Sequence, residues 1–416
     1  MRDIELVLVT IGGLVLFLGV WSNFLRRRTF VPEPFVALLV GVALGPSVLG
    51  WLDPAEWADP QLILKEAARL TLAVALMAIT LRIPPRYLRR HARELVVMIA
   101  VVMPLMWLAS GLVVFAVLGL PIWVALLVGA ALTPTDPIVT TSLMIGGFAE
   151  ERLPSRIRDL LSFEAGANDG LAYPLLVLPM LFLSLPTGEA VSAWFAHTWL
   201  WEIGGALVIG AALGYAAGRT LTWSERHDLI ERHSFLAYSL ALTLLTLGVA
   251  EGAGTEGVLA VFTAGLAFSP TVGGEERAKE EGVQEAISQF FYLPVFTLLG
   301  MALPWQAWAA LGPGALALIL GILLLRRLPA VLLATGTLRL RGLHGLHDRA
   351  YVGWFGPIGI STILYALIAV ERTGIEEVWI IGSLLVFVST AVHGVSANPL
   401  TRLYGRYEGT DDQHAA

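Results

Sequence analysis

Three polar residues lie close together in an otherwise apolar stretch of the chain. They are Glu164, Asn168 and Asp169, at positions i, i+4 and i+5, with alanine and glycine between them. On an α-helix Glu164 and Asn168 share a face, and Asp169 is turned from it by about 100°. A carboxyl group there can hold a proton or a hard cation, and oxygen ligands suit Na+, Li+ and K+. The pattern predicts a cation and proton site at Asp169; a proton-only relay or a structural ion pair is the alternative.

A second polar segment, Thr133-Pro134-Thr135-Asp136-Pro137, interrupts an apolar run. Proline has no N–H to donate, and Pro137 disfavours helical geometry at Asp136, so we expect an extended break here. Broken helices present partial charges at their ends. Asp136 could neutralise a helix N-terminus, while Thr133 and Thr135 offer oxygens to a cation. The alternative is that Asp136 only caps a proline kink.

Two adjacent arginines, Arg326 and Arg327, also lie within an apolar segment. A buried arginine usually pairs with a carboxylate, and Glu164 is the natural partner for Arg327. In that pairing Glu164 stays ionised and structural, which leaves Asp169 as the acid free to titrate. Arg326 is expected to extend toward the lipid headgroups. His393 is interpreted as a hydrogen-bonded packing residue rather than a proton relay.

The composition indicates a membrane environment for these residues. Of 416 residues, 56% are hydrophobic and 14% charged, against roughly 45–50% apolar and about 25% charged in a soluble domain. With no cysteine, disulfides, thiolate metal sites and cysteine nucleophiles are excluded. A spanning helix needs about 20 apolar residues, which predicts an all-α polytopic membrane protein of about thirteen transmembrane helices. The candidate spans are 4–25, 31–49, 62–83, 95–118, 122–144, 157–184, 195–218, 235–252, 256–269, 283–304, 312–336, 350–371 and 377–399.

The loops between these spans alternate in charge. Basic residues gather in every second loop, as in Arg86 to Arg93 and Arg152 to Arg158, and the loops between carry almost none. Because basic loops stay on the cytoplasmic side, this predicts an N-terminus outside and a C-terminus in the cytoplasm. Residues 1–405 are interpreted as a single membrane transport domain and 406–416 as a short cytoplasmic tail.

A second interruption, Gly356-Pro357-Ile358-Gly359, falls in the twelfth candidate span, seven spans after the first break. An odd separation means that the two interrupted helices run in opposite directions through the membrane. Interrupted helices at corresponding positions of inverted repeats are a sequence indication of a transporter site. The pattern therefore predicts two discontinuous helices around a central site.

These motifs resemble those of the monovalent cation/proton antiporters of the NhaP and NHE type. The segment from Thr133 to Pro137 is similar to their "TDP" break, and the segment from Glu164 to Gly170 is similar to their Asn-Asp motif in its electroneutral form. The surrounding sequence resembles the fungal plasma-membrane sodium/proton antiporters and their bacterial relatives. The resemblance covers essentially the whole chain.

The resemblance implies an NhaA-like fold in which two crossed discontinuous helices belong to a core around 95–184 and 312–399. The remaining helices would form a scaffold that mediates homodimerisation, and the core would move against it as an elevator. Asp169 would carry the ion, and Asn168 would stand where electrogenic relatives have a second aspartate. Thr135 and Asp136 would contribute at the crossing. Ala165 departs from the family, because many members have a serine there.

The predicted function is exchange of Na+ or Li+ for H+ by competition at Asp169, electroneutral at 1:1 because one carboxyl carries one ion or the other. The expected role is pH homeostasis in the cell membrane. The expected partners are membrane lipid, monovalent cations, protons and a second copy of the chain, with no cofactor and no nucleic acid. A K+/H+ antiporter is the alternative; a sodium-coupled symporter, a channel and an intramembrane enzyme are less favoured alternatives.

Overall fold

The computed structural model describes residues 2–24, 31–57, 59–136, 138–139, 147–227, 229, 235–271, 274–338, 340 and 342–414. The regular structure in these ranges is helical, without a β-strand. The main helices are α1 Arg2–Phe24, α2 Glu33–Leu44, α3 Pro60–Arg82, α4 Pro85–Arg90, α5 Ala92–Leu118, α6 Ile122–Ala131, α7 Ser155–Ser184, α8 Thr187–Arg226, α9 Phe235–Gly252, α10 Gly257–Phe268, α11 Gly274–Met301, α12 Trp305–Ala310, α13 Pro313–Leu338, α14 Leu346–Trp354, α15 Ile360–Thr373 and α16 Glu377–His414.

By length and composition, five of the described helices can cross a membrane: α5, α7, α8, α13 and the part of α16 from Glu377 to Tyr407. Shorter apolar stretches lie in α1, α2, α6, α9, α10 and α11. Large apolar side chains such as Leu16, Val20 and Leu200 are exposed on the outside of the bundle. In a bilayer these side chains contact lipid rather than water. Each of the candidate spans coincides with at least one helix, and the count of about thirteen stays a prediction.

The two predicted interruptions are both irregular in the described chain. Helix α6 ends at Ala131, and residues 133–136 are not helical. Helix α14 ends at Trp354, and α15 begins only at Ile360. The two irregular segments contact each other, because the Asp136 N–H donates to the Pro357 carbonyl at 2.9 Å. Pro137, the last residue of the first predicted break, lies outside the described residues.

Helix α13 is bent where the two adjacent arginines stand. The helical pattern ends at Leu325 and resumes at Leu328, immediately before Pro329. Proline removes a helical hydrogen bond and its ring crowds the preceding turn, which accounts for a bend at this point. The bend places Arg326 and Arg327 between the packed helices.

Helix α7 lies against α10 with little space between the backbones. A Cβ atom added at Gly170 would come within 2.7 Å of the Leu259 Cβ atom. The glycine therefore allows close approach of α10 beside Asp169, the neighbouring residue on α7. Buried apolar side chains from Leu14 to Tyr404 form a contiguous cluster around these helices. Helix α16 continues to His414, so the tail predicted from residue 406 begins inside this helix.

Candidate functional site

The Glu164 carboxylate and the Arg327 guanidinium form a bidentate ion pair. Arg327 donates from Nη1 to Oε1 at 2.6 Å and from Nη2 to Oε2 at 2.8 Å. Its Nε also donates to the Val352 carbonyl at 3.0 Å. Both side chains are buried. Two parallel charge-assisted hydrogen bonds offset the cost of removing both charges from water. The structure thus places Glu164 and Arg327 together, as the sequence predicted.

Asn168 links this ion pair to the first break. Its Nδ2 donates to the Glu164 Oε1 atom at 3.1 Å and to the Thr135 Oγ1 atom at 2.7 Å. Its Oδ1 accepts from the Thr135 N–H at 3.1 Å. The neighbouring carboxylate fixes the orientation of the amide, because only the NH2 group can donate to it. Two hydrogen bonds therefore join Asn168 to Thr135.

Asp136 accepts hydrogen bonds from backbone N–H groups that follow the first break and from one that follows the second break. Its Oδ1 accepts from Ile138 at 2.6 Å and from Val139 at 3.4 Å. Its Oδ2 accepts from Ile360, the first residue of α15. A Cβ atom at Gly359 would overlap this carboxylate, so the close approach requires glycine. Asp136 caps backbone that the breaks leave unpaired, which fits a structural role at least as well as a cation ligand.

Thr133 is turned toward its own helix. Its Oγ1 donates to the Gly129 carbonyl at 2.8 Å, and its N–H donates to the Ala130 carbonyl at 3.1 Å. This is the usual hydrogen bond of a threonine to the preceding turn of a helix. The predicted contribution of Thr133 to the cation site stays a prediction.

The expectation that Arg326 extends to the lipid headgroups is wrong. Its side chain is buried, with 3% of its surface exposed. Nη1 donates to the carbonyls of Leu132, Thr133 and Pro134 in the first break, and Nη2 donates to the Gly356 carbonyl in the second. A broken helix leaves carbonyls without partners, and in lipid only protein or trapped water can satisfy them. Five N–H donors in one planar group suit this task.

Asp169 differs from the other acids at this centre. It is 1% exposed, and within the described structure no backbone N–H and no charged side chain donates a hydrogen bond to either carboxyl oxygen. Asp136, Glu164 and Glu256 are close enough to act on it electrostatically, and the Ser361 side chain lies beside it. A buried carboxylate without a partner is costly, so this group must be accompanied by a proton or a cation.

The second break and the neighbourhood of Asp169 have further supports that the sequence did not indicate. The Ile358 N–H donates to Ser389 Oγ at 2.8 Å, and His393 Nδ1 contacts the same oxygen at 2.9 Å. The Tyr365 hydroxyl donates to the main-chain carbonyl of Asp169. His393 is thus a buried, hydrogen-bonded residue of the packing, and Ser389 supports the second break.

The centre shows no cluster typical of a tightly held metal. Among the described side chains, no group of three or more His, Cys, Asp or Glu residues is placed to bind one. Asp136, Glu164 and Asp169 lie near one another but have different partners.

The chain is similar to known proteins over nearly its whole length. The sequence model of the family described as "Sodium/hydrogen exchanger, transmembrane" matches residues 13–403. The Na(+)/H(+) antiporter 2 of Zygosaccharomyces rouxii is 29% identical over 420 residues, which are 94% of this chain and 51% of that protein. The chain thus spans about half the length of that relative. The Na(+)/H(+) antiporter of Schizosaccharomyces pombe is 27% identical over 423 residues, with 95% of this chain and 90% of that protein covered.

The solved structure of the sodium proton antiporter MjNhaP1 from Methanocaldococcus jannaschii superposes with a TM-score of 0.76. The match covers 97% of this chain and 99% of that one at 19% identity, so it establishes a shared fold. It confirms an all-helical, multi-pass membrane fold, and the names of the relatives are those of transporters rather than enzymes. The resemblance drawn from the two acidic motifs is confirmed, and the chain belongs to the sodium/hydrogen exchanger family.

Proposed function

We propose that this protein exchanges Na+ for H+ across the membrane and that the two ions compete for the Asp169 carboxyl group. The observation that carries the proposal is the buried carboxyl group of Asp169, whose two oxygens accept no hydrogen bond from a backbone N–H or a charged side chain within the described structure. Such a group is stable when it is protonated or when a cation lies against it, and each occupant excludes the other. The family and the names of the relatives support the choice of ion.

The charges around Asp169 support an electroneutral exchange. Glu164 is neutralised by Arg327, and Asp136 accepts three backbone hydrogen bonds. Asn168 is uncharged. One carboxyl group that carries either one proton or one monovalent cation moves no net charge per cycle. We therefore propose a stoichiometry of 1:1, with Na+ or Li+ as the substrate.

The proposed movement is that of an elevator, in which core helices carry Asp169 past the scaffold. Several polar contacts join helices assigned to the core with helices assigned to the scaffold, and two of them lie between charged or hydroxyl side chains far from the breaks. Lys65 on α3 bonds Glu371 on α15 at 2.7 Å, and the Tyr173 hydroxyl on α7 donates to Glu202 on α8 at 2.9 Å. Both contacts lie at the end of the bundle predicted to face outward. We further propose a homodimer in the cell membrane, with the C-terminus in the cytoplasm.

Transport by the purified protein in liposomes tests this function. An imposed pH gradient should dissipate when Na+ or Li+ is added, and Asp169→Asn should abolish this response because an amide can neither exchange a proton nor neutralise a cation. A parallel addition of K+ tests the alternative antiporter. The matched control is Asp59→Asn, where the side chain caps α3 through Gln61 and Leu62, a task that asparagine performs equally well.

Exchange retained in Asp169→Asn would overturn the site. Clamping the membrane potential at different values tests electroneutrality in the same vesicles, since a 1:1 exchange rate should not follow the potential. A strong dependence on the potential would contradict the proposed stoichiometry and leave the exchange function standing.

A further inference from the structure

Most oxygen atoms that the sequence offered to a cation are already engaged in the structure. The Thr133 hydroxyl donates to its own helix, and Thr135 and Asn168 bond each other. The Asp136 carboxylate accepts from three backbone N–H groups. A dehydrated Na+ needs several oxygen ligands, and the two oxygens of Asp169 alone do not satisfy it. Another oxygen that faces Asp169 is required.

Ser361 meets this requirement. It lies in the first turn of α15, directly after Ile360, whose N–H is held by Asp136. Its side chain is fully buried and lies beside the Asp169 carboxyl group. Within the described structure its Oγ has no hydrogen-bond partner other than this carboxyl group. Buried polar groups are normally fully paired, so a carboxyl group and a hydroxyl that have no partner except each other indicate a position that a ligand fills.

We propose that the Ser361 hydroxyl is a ligand of the transported cation and acts together with the Asp169 carboxylate. This inference rests on the proposed exchange function and adds a residue that determines cation affinity. A hydroxyl lone pair coordinates Na+ directly. When Asp169 is protonated instead, the same lone pair accepts the carboxyl proton. Interaction with an ion is stronger than a hydrogen bond between neutral groups, so loss of the hydroxyl weakens cation binding more than proton binding.

The next residue on α15 has the same chemistry but another orientation. Thr362 is also buried, and its Oγ1 has no partner in the described structure. Consecutive residues on a helix point about 100° apart. The Thr362 methyl group would stand 3.5 Å from a Cβ atom added at Gly382, so Thr362 faces α16. Thr362→Val removes a comparable hydroxyl without changing the proposed ligand set, which makes it the matched control.

The first measurement is the rate of exchange in liposomes as a function of Na+ concentration at fixed pH. We expect Ser361→Ala to raise the half-saturating Na+ concentration about tenfold and to leave the maximal rate near that of the parent protein. For Thr362→Val, the half-saturating Na+ concentration and the maximal rate should both stay within about twofold of the values of the parent protein.

The second measurement is thermal unfolding in detergent, with Na+ or with choline as the cation. A ligand that binds only the folded protein raises the unfolding temperature. In choline, Ser361→Ala loses only the hydrogen bond between the hydroxyl and the protonated Asp169 carboxyl group, so it should unfold slightly below the temperature of the parent protein. In Na+ its stabilisation should be smaller than that of the parent protein and of Thr362→Val.

The outcomes separate this inference from the function on which it rests. If the parent exchanges Na+ and Asp169→Asn does not, but Ser361→Ala titrates like the parent, the ligand role of Ser361 is overturned and the function stands. Equal shifts in Ser361→Ala and Thr362→Val would also overturn it, because they would indicate altered packing. If the parent exchanges no cation at all, the proposed function itself fails.

Discussion

The charged residues of the centre have separate tasks that follow from their partners. Arg326 donates to carbonyls from both breaks, whereas Asp136 accepts from backbone N–H groups in the same two segments. One cation and one anion thus compensate backbone that the two interruptions leave unpaired. Glu164 and Arg327 compensate each other. In the proposed exchange, Asp169 is the acid whose charge the transported ion balances.

The ion pair between Glu164 and Arg327 gives a prediction about stability. Glu164→Gln leaves Arg327 buried without a counter-charge, and breaking a buried pair costs about 3–5 kcal/mol. The double variant Glu164→Gln/Arg327→Met removes both charges, so we expect it to be less destabilised than the sum of the two single variants. Unfolding in detergent measures all four proteins in one double-mutant cycle. Additive losses would mean that the pair contributes no coupling energy.

At the scale of helices, the breaks depend on a few residues that let two irregular segments touch. Gly359→Ala would place a Cβ atom against the Asp136 carboxylate and force the segments apart. We expect this variant to lose most exchange and to unfold at a lower temperature. The control is Gly248→Ala in the middle of α9, where a Cβ atom meets nothing within 4 Å. There alanine should be neutral or stabilise by up to about 1 kcal/mol. Normal exchange in Gly359→Ala would show that the contact is dispensable.

The positions of the helices were largely predictable because they follow from local sequence. The candidate span 157–184 corresponds to α7 at Ser155–Ser184, and 95–118 corresponds to α5 at Ala92–Leu118. Both breaks were predictable as well, because proline and glycine interrupt a helix through their local backbone preferences. The partner of Arg327 was also predictable, because a buried arginine usually pairs bidentately with a carboxylate and Glu164 was the natural candidate.

The contacts of Arg326 and Ser361 could not be read from the sequence. Both depend on how two breaks, more than 200 residues apart in the chain, meet in space, and no local pattern encodes that meeting. Arg326 had one available indication, because two interrupted helices leave carbonyls that need a donor. Ser361 had none, since a serine in the first turn of a helix usually has an ordinary local role.

For the whole molecule, the proposed elevator predicts that joining core to scaffold stops transport. The sequence has no cysteine, so an introduced pair of cysteines supplies the only thiols that the reagent can modify. Lys65→Cys with Glu371→Cys places thiols at the contact between α3 and α15, where the native side chains meet at 2.7 Å. A short bifunctional thiol reagent should abolish exchange, and cleavage of the linker should restore it. The measurement is Na+-induced loss of the pH gradient in liposomes before cross-linking, after it and after cleavage.

A cross-link within the proposed core supplies the control for that experiment. A Cβ atom added at Gly321 on α13 would lie 3.8 Å from the Val113 Cβ atom on α5, a separation typical of disulfides. Val113→Cys with Gly321→Cys should therefore oxidise without displacing either helix, and exchange should continue because both helices move together. If the core pair blocks exchange as completely as the pair between α3 and α15, the two groups of helices do not move as separate bodies. If neither pair blocks it, Asp169 reaches both sides without the proposed displacement.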